Sequence, residues 1–185
     1  MNLSTRMPIW LALVGNLVVV AVTVGLLGWN SAGGHAAARN TARFSALWCA
    51  IALAGPAVCQ IFRNGSESRL IHAFVAAHSM HFLAVLAVLA TYERAHIAAR
   101  PGESVAVIAV GSLLMLGLAY TAAAARRLTR AIRSLTLYAA SLIFFLAFYH
   151  HTVRPIRGIA ALLAIALILR VTTSLTFRPA PARPA

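Results

Sequence analysis

The chain has 185 residues, of which 61% are hydrophobic and only 10% charged, with a mean hydropathy of +0.84. Soluble domains carry about 25% charged residues, so this composition excludes an ordinary soluble globule and implies an integral membrane protein built as one bundle. All sixteen basic residues are Arg, against three acids, for a formal charge of +13. With short loops and no basic patch interleaved with exposed aromatics, that charge argues for helix orientation and membrane-lipid contact, and against a nucleic-acid face.

The apolar runs predict an all-α, polytopic membrane protein: a six-transmembrane-helix bundle over 1–178. The first run, 9–29, follows a basic Arg6 but is too long for a cleaved signal peptide, so it reads as an uncleaved helix. The Gly- and Ala-rich stretch NSAGGHAAARN reads as a loop with His35 in solvent. The second run, 41–62, holds Cys49 and Cys59 and has Gly55 and Pro56 near its far end. Ten residues of helix span about 15 Å, so these cysteines read as free thiols rather than a disulfide.

The third run, 70–92, carries three histidines, His72, His78 and His81. The segment 93–104 reads as a loop because Pro101 and Gly102 oppose a continuous helix. The fourth run, 103–125, leads to the cluster Arg126, Arg127, Arg130 and Arg133. The fifth, 134–151, closes on His150 and His151, and the sixth, 156–176, contains Arg170, expected to snorkel toward the inner membrane edge. A Pro-rich tail, 179–185, reads as disordered. Arg residues are more numerous on the side that holds both termini, which places the termini in the cytoplasm.

Histidines inside apolar runs need a hydrogen bond, a metal or a cavity, and an intramembrane ionisable group is a functional-site hypothesis by default. His78 and His81 share a helix face, three residues apart, while His72 falls opposite. His150 and His151 are 100° apart, so one of them can face a given partner. One imidazole from each of two helices suits bis-His ligation of a b-type haem, with His78 or His81 from the one and His150 or His151 from the other as the candidate iron ligands. Phe74, Phe82, Phe144, Phe145 and Phe148 could wall such a group, and Arg39, Arg43 and Arg154 could meet its propionates. One strain is visible: His81 stands 12 residues beyond Arg69 and His150 stands 17 beyond Arg133, a depth difference of about 7 Å.

Two further readings exist. The histidines could line a small transporter or channel subunit, although Glu67, Glu93 and Glu103 lie in loops or at span ends. Alternatively, Gly25, Gly28, Gly111 and Gly117 could serve helix packing in a non-haem membrane assembly protein.

Three stretches carry a family likeness: GGHAAARNTARFSALWCAIALAGPA, the segment from Arg69 to His81, and ARRLTRAIRSLTLYAASLIFFLAFYHH. With the closing TVRPIRGIAALLAIALILRV, the chain resembles the ferric-reductase-like transmembrane domain. Within it, the likeness is to the haem-binding membrane subunits of bacterial periplasmic methionine sulfoxide reductase systems. The resemblance implies an inner-membrane electron-transfer subunit of an oxidoreductase, with no substrate-converting site of its own. It also implies a quinol or flavoprotein donor and a partner protein near the outer face. The third-helix ligand role falls on His81 or His78 and the fifth-helix role on His150 or His151. Ser134 stands where the family commonly has a further His, and His72 where it has Gly, so one haem is expected rather than two.

Overall fold

In the computed structural model the described residues are 7–61, 67–99, 101–123, 130–149 and 154–176. All of their regular structure is helical: α1 Met7–Leu27, α2 Ser31–Leu53, α3 Gly55–Ile61, α4 Glu67–Tyr92, α5 Arg94–Ala99, α6 Pro101–Ala123, α7 Arg130–Tyr149 and α8 Arg154–Thr176. Two of them, Met7–Leu27 and Glu67–Tyr92, are long and apolar enough to cross a membrane. Trp10, Val14, Leu17 and Val22 of α1 are each more than half exposed. In water such a face would be an unusually large apolar patch; against hydrocarbon it is satisfied.

The least apolar of the long helices sits in the middle. α2 carries Arg39, Asn40, Thr41, Arg43 and Ser45, yet packs against α1, α4, α7 and α8. Ala46, Ala50 and Leu53 are buried along one of its faces, and the two alanines, four residues apart, let neighbours approach closely. Around them Phe74 and Ile71 of α4, Leu137 and Phe144 of α7 and Leu163 of α8 complete the main core.

The stretch 30–40, expected as a loop, is the start of α2. Asn30 has an extended backbone, and its side chain accepts a 2.9 Å hydrogen bond from the Gly33 amide, an N-cap that outweighs the helix-breaking tendency of the two glycines. Gly28 ends α1 with φ +82, and its amide donates to the Val24 carbonyl at 2.8 Å. A Cβ on Gly33 would overlap the Gly28 carbonyl oxygen. Gly33→Ala is therefore expected to cost about 1–3 kcal/mol by forcing the α1–α2 corner apart. A thermal melt in detergent should show the loss, whereas Gly25→Ala, with open space around its Cβ, should not.

The other differences have equally local causes. Helix α2 breaks at Ala54, just before Pro56, which lacks an amide hydrogen, so Cys49 and Cys59 lie in separate helices, α2 and α3. The expected loop 93–104 is mostly helix, because Pro101 takes the first position of α6, where its missing donor costs nothing. Arg170 does not snorkel; it is 2% exposed and turned inward.

Candidate functional site

Helix α4 aims both His78 and His81 at α2. Their spacing of three residues is matched by Thr41 and Ser45, four apart on the facing helix. His81 Nδ1 lies 3.2 Å from Thr41 Oγ1, and His78 Nδ1 lies 3.2 Å from Ser45 Oγ. The two rings are 5.6 Å apart, tilted by 47°. Two hydroxyl–imidazole pairs thus form a short polar ladder inside the bundle.

Thr41 Oγ1 also lies 2.9 Å from the Ala37 and Ala38 carbonyls of its own helix. When its one hydrogen goes to either carbonyl, its oxygen accepts from Nδ1 of His81, and Nε2 keeps its lone pair. Neither Nε2 makes a hydrogen bond among the described residues. For His81 that is the arrangement of a metal-ligating imidazole, one nitrogen held by a neighbour and the other presented.

The two rings differ in access. His78 is 6% exposed and closed in by Phe74, at 5.9 Å, and by the edge of Phe144 from α7, at 5.2 Å. His81 has no such aromatic cover among the described residues and is only partly buried. Of the two, His81 is the less enclosed.

Other sequence candidates lie elsewhere. His72 points away from the pair and donates through Nδ1 to the Ser68 carbonyl at 2.6 Å. Arg43 is two residues from both Thr41 and Ser45, which turns it to the far side of α2. There Nη1 donates to Asn40 Oδ1 at 3.0 Å, and Asn40 Nδ2 donates to Thr23 Oγ1 of α1 at 3.1 Å. The structure therefore does not bring Arg43 to the histidine pair. His150, His151 and the side chains of Arg154 and Phe148 lie outside the described residues. Phe82 packs beside Gly111 of α6. His35 is in the first turns of α2, with Nδ1 2.7 Å from the Ser31 carbonyl and Nε2 3.0 Å from Glu93.

Among the described residues no group of three or more His, Cys, Asp or Glu could hold a bare metal ion. A porphyrin supplies four equatorial nitrogens itself and needs only axial imidazoles, of which the described residues present the His78–His81 side alone. No family model, curated protein or solved structure matches the chain.

Three features lay beyond the sequence reading. Asn16 of α1 is fully buried and donates to the Ala12 and Ala77 carbonyls at 3.0 and 3.4 Å, while its Oδ1 has no partner among the described residues. A lone Asn in a run of Leu and Val was its only signal. Thr41 and Ser45 were visible as a polar pair at helical spacing, but not their partners. The third is Arg170. Its Nη2 donates to Glu67 at 2.7 Å and to Ser134 Oγ at 2.8 Å, and its Nη1 donates to the Leu53 carbonyl at 3.2 Å. The guanidinium also lies 5.6 Å over the Tyr138 ring. One buried cation thereby joins α8 to α4, α7 and the end of α2.

Proposed function

We propose that the chain is a b-type cytochrome subunit of the bacterial inner membrane. In this reading α1, α2 with α3, α4, α6, α7 and α8 are the six membrane crossings, with both termini cytoplasmic. The polar character of α2 is compatible with a crossing because its neighbours, rather than lipid, surround it. His81 would ligate the iron of one haem b through Nε2, and His150 or His151 would complete the pair from the far end of α7. The observation that carries this is the 3.2 Å contact between Thr41 Oγ1 and His81 Nδ1, which holds one ring nitrogen of His81 while Nε2 makes no hydrogen bond among the described residues.

The protein's part is to hold and orient. Thr41 fixes the rotation of the His81 ring, Ser45 holds His78 beside it, and Phe74 and Phe144 exclude water from that side. The haem supplies one-electron transfer, the chemistry that a relay between a quinol or flavoprotein donor and an acceptor protein near the outer face requires.

The test is the visible spectrum of the detergent-purified protein, oxidised and dithionite-reduced, expressed with haem supplied. A sharp reduced α-band is expected in the wild type. It should be lost in His81→Ala and retained in His72→Ala, whose ring faces the other way. His78→Ala should weaken the band less than His81→Ala. A colourless wild type overturns the reading and leaves a His-lined small transporter, which the buried polar row of Asn16, Thr41 and Ser45 favours.

A further inference from the structure

Arg39, Arg43, Leu47 and Ile51 stand four residues apart on α2 and form one row along its surface. Arg39 is exposed, Arg43 is partly buried, and Leu47 and Ile51 are 41% and 38% exposed, so this row stays open although α1, α4, α7 and α8 pack around α2. The bond from Asn40 to Thr23 sets its level, because Thr23 is four residues, about 6 Å of helix, from the end of α1 at Leu27. Arg39 therefore leaves α2 just inside the bundle end that the proposed function places outside. Helical side chains lean toward the N-terminus of their helix, which for α2 is that same end. Arg43 follows the rule: its Nη1 bonds Asn40, nearly a turn closer to the outside.

The two cations have no carboxylate to meet among the described residues. Of the three acids in the chain, Glu67 holds Arg170 and Glu93 holds His35. Glu103 belongs to α6, which packs on α4, α5 and α7. The histidine pair meets α2 on a different face, at Thr41 and Ser45. Guanidinium groups on an open face of a membrane helix are costly without an anion, so the anion comes from outside the chain. A second copy would set like charges against each other, and a quinol brings no negative charge. A phosphate offers acceptor oxygens to two guanidinium groups at once. Beyond the arginines the row turns apolar, and from Arg39 to Ile51 it runs about 18 Å. That is close to one leaflet, about 15 Å of hydrocarbon with its headgroup edge.

We infer that this row is a site for an anionic phospholipid of the outer leaflet, its phosphate held by Arg39 and Arg43 and one acyl chain lying along Leu47 and Ile51. The site rests on the membrane crossings of the proposed function and their orientation, and it is independent of the haem.

Native mass spectrometry of the delipidated full-length protein, titrated with phosphatidylglycerol or phosphatidylcholine, tests this. A one-to-one phosphatidylglycerol adduct is expected, favoured over phosphatidylcholine by about tenfold. Arg39→Gln/Arg43→Gln should lose the preference. Arg94→Gln/Arg157→Gln, which removes the same charge from exposed positions on α5 and α8, should keep it. If the first pair loses helical circular dichroism, Arg39→Gln alone replaces it, since Arg39 lies outside the Asn40 bond, and a drop in preference of about threefold is expected. Equal binding of the two lipids by the wild type overturns the inference, and so does an equal loss of preference in both double variants. A preference that disappears once haem is supplied would give the arginines to its propionates and overturns the inference too. Extraction of the protein from membranes by alkaline carbonate would instead sink the membrane reading itself, and the visible spectrum decides the haem separately.

Discussion

Arg170→Met is expected to lower the stability of the bundle by about 3 kcal/mol, among the largest effects of any single substitution here. The side chain reaches three elements at once, and two of its contacts have no ready substitute. Leu53 ends α2 at the break before Pro56, so its carbonyl lacks a regular helical donor and takes one from Arg170 Nη1. Glu67, in the first turn of α4, would keep its charge with a quarter of its side chain exposed and its 2.7 Å partner gone. Removing one member of an ion pair that is largely out of water costs more than the pair contributes, because the remaining charge stays poorly solvated.

Arg170→Lys should recover little, since an ammonium cannot reach Glu67, Ser134 and the Leu53 carbonyl from one planar fork. The double variant Glu67→Gln/Arg170→Met should recover a large part of the loss, because no unpaired charge remains. Unfolding in detergent micelles, followed by circular dichroism for the two single variants and the double, gives the coupling directly. An Arg170→Met variant within about 0.5 kcal/mol of the wild type would mean that the buried fork is an incidental contact.

Arg170 also shows where the sequence stops being informative. Its partner Glu67 is 103 residues away, and hydropathy alone made the expected position the membrane edge. Whether a cation near a helix end turns outward to water or inward to a carboxylate depends on which helices are neighbours, and that is a property of the packing. The long helices α1, α4, α6, α7 and α8 were legible because each is a sustained apolar run, and the facing of His78 with His81 followed from their spacing. The start of α2 was not, because two adjacent glycines weigh toward a loop unless the Asn30 cap is counted with them. The hydroxyls that hold the imidazoles were hidden for the same reason as Glu67: Thr41 and Ser45 meet their histidines only through tertiary contact, 40 and 33 residues away.

Those hydroxyls carry the second large effect. Thr41 is completely buried, and Thr41→Val keeps the branched shape of the side chain while replacing its hydroxyl with a methyl group. What disappears is the hydroxyl partner of His81 Nδ1. The ring then loses its rotational restraint, and losses of this kind around a ligating imidazole lower affinity by about 10- to 100-fold. The same change at the second rung, Ser45→Ala, should have a smaller effect if His81 is the ligand, because Ser45 holds the sealed ring. Haem titration into the apoprotein, read by the Soret band, measures both. Equal losses for Thr41→Val and Ser45→Ala would shift the ligand role to the pair acting together. A larger loss for Ser45→Ala would assign it to His78. Unchanged affinity in both variants would show that the ladder orients no ligand and serves only to satisfy two buried imidazoles, which an otherwise apolar core requires in any case.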